Sequence, residues 1–158
     1  MKPKIKAIAL DVDGVLTDGT FCWGPDGAEY KQFSFYDIMG VSLGTRAGLM
    51  FALISGESGE LIDRFASKMG IADVFKGCKD KAAALRSFAE NRGLDLSEVC
   101  FMGDDVNDLP ALALAGLSAA PSSAHKRVRG VVNLVTIQPG GRGAVRELVD
   151  HVLADSSS

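Results

Sequence analysis

Short apolar runs alternate along this chain with stretches whose apolar residues recur every third or fourth position. Residues 5–10, 49–54 and 99–102 are strand-length runs, and they end at Asp11, at Ser55 and at Gly103-Asp104. Weaker strand patterns lie at 117–119 and 133–136. Residues 58–69, 79–91, 105–115 and 144–153 carry helical spacing, with Gly70 and Gly93 where helix C-terminal caps fall. Strand and helix in alternation predict an α/β fold, a Rossmann-like parallel sheet with helices on both faces. Residues 20–33 depart from that rhythm: aromatic and polar residues alternate around Gly24-Pro25-Asp26-Gly27. Proline presets one turn dihedral and glycine takes the positive one, so the segment predicts a β-hairpin inserted before the first long helix. No space is left for a large cap domain. One domain over residues 1–154 is expected, with a disordered tail at 155–158.

Composition narrows the classes. The chain has 158 residues, 47% of them hydrophobic, and a formal net charge of −3. That size supports a core without staples. A weakly acidic chain has no footprint for nucleic acid or an anionic membrane, so neither is an expected partner. Handling an anionic substrate would need positive charge concentrated locally, from a metal or a few Lys and Arg. Cys22, Cys78 and Cys100 show no CxxC or zinc spacing and read as thiols of a reducing compartment. The first residues hold too short an apolar run for a signal peptide, and no stretch has the length of a membrane span. A cytoplasmic location is expected.

The chemistry gathers where the runs end. Asp11-Val12-Asp13-Gly14 follows the first run, and residues two apart on a strand point to the same side. Two carboxylates so placed repel unless a proton or a cation relieves them, and magnesium suits such oxygen ligands. Gly14 permits a sharp turn that brings backbone N–H groups toward an anion. Alone, this motif reads as a solvated acidic loop. Gly103-Asp104-Asp105-Val106-Asn107-Asp108 changes that reading, because it adds a second acidic group at the same carboxyl edge of a parallel sheet, where ligands bind. Asp105 is also a natural helix N-cap. Ser55 with Gly56 can hold a phosphate oxygen, or can be a plain Ser-Gly turn. Lys81 stands at a helix start, where a cation opposes the helix dipole and needs an anion; with Lys79 it can also be a solvated surface charge.

DVDGVLT, Ser55, Lys81 and GDDVNDLP occur here in the order found in phosphatases of the haloacid dehalogenase (HAD) superfamily, which the chain resembles over nearly its whole length. The hairpin in place of a cap and the terminal GGRGAVRE look like the cap-less sugar-acid phosphatases of that superfamily. The resemblance implies a phosphoric monoester hydrolase with Mg2+ as cofactor. Asp11 would be the nucleophile and Asp13 the general acid and base. The metal would be held by Asp11, the Asp13 carbonyl and Asp104, with Asp108 just behind them. Ser55, Gly56, Gly14 and Lys81 would meet phosphate, and Thr17 would hydrogen-bond the Asp13 side chain. It also implies a homotetramer whose hairpins form a central barrel, with Phe21, Trp23 and Phe33 between subunits.

The expected substrate is a phosphorylated 2-keto-3-deoxy sugar acid. Members selecting 3-deoxy-D-manno-octulosonate 8-phosphate, the lipopolysaccharide precursor, generally have Arg two residues after the Ser/Thr. Here Glu57 stands there, and with Lys68 it resembles members preferring 2-keto-3-deoxynononate 9-phosphate, a relative of sialic acid, so the nine-carbon ester is favoured. A surface ion pair between Glu57 and Lys68 is the plainer alternative. Arg142 and Arg146 belong either to an adaptable closing tail at the site or to a solvent-facing loop. Two other classes share parts of this pattern. A phosphate-accepting receiver domain is disfavoured by the Asp11/Asp13 spacing and the late acidic motif. A catalytically silent oligomerisation module is disfavoured by the complete acidic set.

Overall fold

The structure, a computed structural model, describes residues 2–157. Strands β1 (Ala7–Leu10), β4 (Met50–Ile54), β5 (Asp73–Phe75), β6 (Val99–Met102), β7 (Leu117–Ala120) and β8 (Leu134–Val135) form a six-stranded sheet in the order β5-β4-β1-β6-β7-β8. Every pairing in it is parallel. The central strand buries both faces, Ile8 and Leu10 to one side and Ala7 and Ala9 to the other. Helices α1 (Phe35–Arg46), α2 (Glu60–Met69) and α6 (Ala144–Ser156) cover the first face through Val41, Ile62, Phe65 and Leu148. Helices α3 (Lys81–Asn91), α4 (Leu109–Leu114) and α5 (Lys126–Arg129) cover the second through Leu85, Phe88, Leu112 and Val128. The α/β fold expected from the alternating pattern is therefore present.

Register decides where the chemistry can sit. Leu10 lies opposite Leu53 on β4 and Met102 on β6, so these three strands end level with one another. Strand order also reverses at β1, which opens a crevice there. Asp11, Ser55 and Asp104 all leave the sheet at this one edge.

Several elements differ from the sequence reading. Strand β5 has only three residues and no alternation, so it carried no signal. Helix α1 had no legible bounds because Gly40 and Gly44 interrupt its apolar spacing. Those glycines serve contact: a Cβ at Gly40 would press on the Arg146 backbone at 2.9 Å, and one at Gly44 on the Phe51 ring at 2.7 Å. The stretch 105–115 divides into a 3-10 turn, Val106–Asp108, and the short α4 with proline in its first turn. Helix α6 runs through Ser156, so Asp155 and Ser156 continue a helix where a loose tail was expected; Ser158 lies outside the described residues. The N-terminus of α6 is capped from across the molecule. The buried carboxylate of Asp37 on α1 accepts from the N–H of Gly143 at 3.3 Å and of Arg146 at 3.0 Å. Burial raises its pKa even against those bonds.

The inserted segment does form a hairpin, though a small one. β2 (Cys22–Trp23) pairs antiparallel with β3 (Glu29–Tyr30), and Gly27 supplies the positive φ of +83° at the turn. Its outer residues Phe21, Trp23 and Tyr30 stand in the open, Trp23 at 67%.

Candidate active site

The Asp11 N–H continues the ladder by bonding the Met102 carbonyl at 3.0 Å. The chain then turns tightly, with Val15, Leu16 and Thr17 all donating to the Val12 carbonyl. Gly14 is required on two counts. Its φ is +86°, and a Cβ there would collide with the Asp104 carboxylate. Thr17 Oγ1 accepts from Gly14 N–H and Gly19 N–H, each at 3.2 Å. The expected bond from Thr17 to the Asp13 side chain is therefore corrected: the hydroxyl oxygen serves the backbone of the turn.

Asp11 is buried, and its Oδ1 accepts from Val12 N–H at 2.8 Å and lies 3.1 Å from Lys81 Nζ. The same ammonium sits 2.7 Å from Oδ1 of Asp108. Lys81 is the first residue of α3, whose N-cap is Asp80, and these two carboxylates supply the counter-charge that a buried lysine at a helix start needs. Burial alone would lower its pKa; Asp11 and Asp108 override that and raise it.

Asp108 is fully buried and fully engaged. Oδ1 takes Lys81, while Oδ2 accepts from Asp104 N–H at 2.9 Å and Asp105 N–H at 3.2 Å. Gly103 admits it, since a Cβ there would meet the carboxylate at 2.7 Å. Asp108 thus holds the acidic loop and Lys81 in place from behind. Asp105 caps the 3-10 turn through Val106 N–H at 2.7 Å.

Oxygens of Asp11, Asp104 and Asp108 lie within 4.8 Å of one another. Burial, then the neighbouring carboxylate of Asp108, pushes Asp11 well above the usual carboxylate range. Burial likewise carries Asp104 up to about 6. Burial and the crowding of like charges thus disfavour ionisation of both carboxylates. A hard divalent cation fits this donor set, because it would relieve the repulsion that Lys81 leaves over. The Asp13 side chain lies outside the cluster. Its Oδ1 is 2.7 Å from Nζ of Lys31, on the chain just past β3. Any part Asp13 takes in holding a metal falls to its carbonyl, as the family pattern implies. Lys31 escaped the sequence reading because its only signal is a lone lysine within the hairpin's alternation.

Ser55 is buried, and its Oγ accepts from Glu57 N–H at 3.0 Å. Gly56 and Glu57 are exposed beside it. Lys68 does not join them: its Nζ lies 5.5 Å from the centre of the Phe35 ring, and among the described residues no ion pair links it to Glu57. Arg142 borders a cleft of about 370 Å³ with Asp18, Gln32, Phe33, Ser34 and Tyr36. The glycines before it are packed, which corrects the idea of an adaptable tail. A Cβ at Gly140 would strike the Gly14 carbonyl, and Gly141 N–H bonds the Val15 carbonyl at 3.0 Å. Arg146 lies over the Tyr36 ring at 4.6 Å and pairs with Asp150.

This is an α/β protein that collects carboxylates, a buried lysine and a hydroxyl at one sheet edge, the equipment of a phosphate-handling hydrolase. The family model of haloacid dehalogenase-like hydrolases matches residues 26–147. The 3-deoxy-D-manno-octulosonate 8-phosphate phosphatase of Escherichia coli K12 is 34% identical over 94% of this chain and 79% of its own length. The structure of the same-named enzyme from Moraxella catarrhalis, in complex with magnesium, phosphate and KDO, superposes with a TM-score of 0.92. Its identity is 35%, and the match covers 95% of this chain and 86% of that one. The Yersinia pestis enzyme of that name gives 0.95 at 33% identity, over 97% and 83% of the two chains. The chain therefore belongs to the haloacid dehalogenase-like hydrolases, in their cap-less sugar-acid phosphatase family, and is a phosphoric monoester hydrolase.

Proposed function

We propose that this chain is a magnesium-dependent phosphatase of a 2-keto-3-deoxy sugar acid, with 3-deoxy-D-manno-octulosonate 8-phosphate as its substrate. The observation that carries the chemistry is the cluster of Asp11, Asp104 and Asp108 oxygens, within 4.8 Å of one another, beside Lys81. Asp11, oriented by Val12 N–H and Lys81, attacks phosphorus in line and forms an aspartyl phosphate. Asp13 gives a proton to the departing sugar oxygen, then takes one from the water that cleaves the intermediate. Lys81, the Ser55 hydroxyl and the backbone N–H groups at Gly14 and Gly56 balance charge on the phosphoryl oxygens. Magnesium held by Asp11, the Asp13 carbonyl and Asp104 would supply further charge neutralisation at those oxygens. Thr17 supports the site by bracing the Asp11 turn, and Arg142 offers a cation to the sugar acid from the adjoining cleft.

The eight-carbon ester is supported by the names of the relatives and by Lys68, whose place over Phe35 leaves Glu57 without the partner on which a nine-carbon preference rested. The nine-carbon ester stays as the second reading because Glu57 occupies the position where octulosonate-selective members generally carry Arg. Steady-state kcat/KM on both esters, with and without magnesium, tests the proposal. Magnesium-dependent release of phosphate with the larger value on the octulosonate ester is expected. A larger value on the nononate ester overturns the substrate, and no release from either ester overturns the function.

The exposed hairpin aromatics support assembly into a homotetramer, since a lone chain would leave an apolar patch in water. Unpaired thiols at Cys22, Cys78 and Cys100 support a cytoplasmic enzyme. Among the described residues no helix is long and apolar enough to cross a membrane.

A further inference from the structure

Lys31 comes from the hairpin, yet its side chain is only 5% exposed, against 40% for neighbouring Glu29. A lysine normally keeps its ammonium in water, and burying it demands a partner. The partner here is Asp13: Nζ lies 2.7 Å from Oδ1, and 3.8 Å from Glu29 Oε2. Among the described residues no other side-chain hydrogen bond or ion pair engages Asp13. The Asp13 side chain is one-third exposed, and among the described residues its Oδ2 makes no hydrogen bond or ion pair. The orientation of Asp13 is thus set from the hairpin and from nowhere else in the acidic edge.

We propose that Lys31 is a positioning residue of the phosphatase reaction: by gripping Oδ1 it presents Oδ2 of Asp13 to the oxygen that departs with the sugar. The inference rests on the reading of Asp13 as acid and base and adds the group that aims it. As the Asp11–phosphorus bond forms and the phosphorus–oxygen bond to the sugar breaks, the proton on Oδ2 passes to the sugar oxygen. Lys31 keeps its protons throughout. The hairpin consequently takes part in the chemistry, because its seating on the core fixes the aim of Asp13.

Leaving-group chemistry separates aim from mere structure. A sugar alkoxide must be protonated as it departs, whereas 4-nitrophenolate leaves without a proton. In Lys31→Met, kcat/KM on 3-deoxy-D-manno-octulosonate 8-phosphate is expected to fall about 10- to 100-fold more than on 4-nitrophenyl phosphate, a share of the usual worth of general acid catalysis. Lys31→Arg, which can still grip Oδ1, should restore the ratio between the two esters to near the native one. Retained magnesium-dependent aryl phosphatase activity certifies the fold of each variant, and Lys31→Gln carries the same test if Lys31→Met is insoluble. Equal falls on both esters, or a gain on the sugar ester, overturn the inference. A native chain inactive on both esters instead sinks the phosphatase reading itself, and that outcome is seen before any variant is made.

Discussion

The acidic edge of the sheet and the hairpin lie within one lysine's reach of each other, yet they are built by opposite rules. At the edge Asp11, Ser55, Lys81 and Asp108 are buried and bonded: Asp108 satisfies Lys81 and two backbone N–H groups, and Gly14 and Gly103 exist to let carboxylates approach. In the hairpin two residues pair with two, and large aromatic side chains face outward. The difference separates two tasks. Stabilising charge at phosphorus needs dipoles that do not move. The hairpin instead keeps an open apolar surface with contacts still to gain.

The largest effect that would break this contrast is loss of the nucleophile. Asp11→Asn should lower kcat by about 10⁴-fold or more while thermal melting shows an intact fold, because the substitution removes a charge the site holds at a cost. Residual turnover near the native level would exclude a covalent intermediate on Asp11. Next comes Asp108→Ala, which leaves two N–H groups unpaired and Lys81 with half its counter-charge. Denaturant unfolding should register a loss of roughly 3 kcal/mol, and a near-neutral result would show that the edge is less tightly bound than its distances suggest.

The third test uses pH. Asp104 has a folded-state pKa of about 6 against the ordinary 3.8. Between those values the folded chain keeps a proton that the unfolded chain has released, so this group's contribution to stability falls as pH rises from about 4 to 6. Without metal, the melting temperature of Asp104→Asn should therefore gain on that of the native chain over this range. Magnesium should raise the native melting temperature at pH 7 and do little at pH 4.5, where protons hold its ligands. The smallest effect belongs to the hairpin. Trp23→Ser should change unfolding free energy by no more than about 0.5 kcal/mol, while sedimentation reports weaker self-association.

What could be read from the sequence follows the same division. The strands that deliver Asp11, Ser55 and Asp104 are apolar runs buried on both faces, and such runs are visible without a structure. The acidic residues themselves were legible because two acidic motifs follow separate strands of one parallel sheet, where either motif alone reads as a solvated loop or a helix cap. Helix α1 was obscured by glycines that serve contacts with Arg146 and Phe51, partners that only the fold brings near. Thr17 was misdirected because a hydroxyl two residues from a turn bonds backbone as readily as side chain. Lys31 was invisible for a related reason: nothing local in a hairpin tells which lysine points inward.

Gly140 and Gly141 press on the backbone of the turn that follows Asp11, near the opposite end of the polypeptide. The turn and its floor are far apart in sequence, and the fold alone brings them together. A chain cut before residue 140 would keep Asp11 and all six strands of the sheet, yet its Val15 carbonyl would lack the N–H that Gly141 brings.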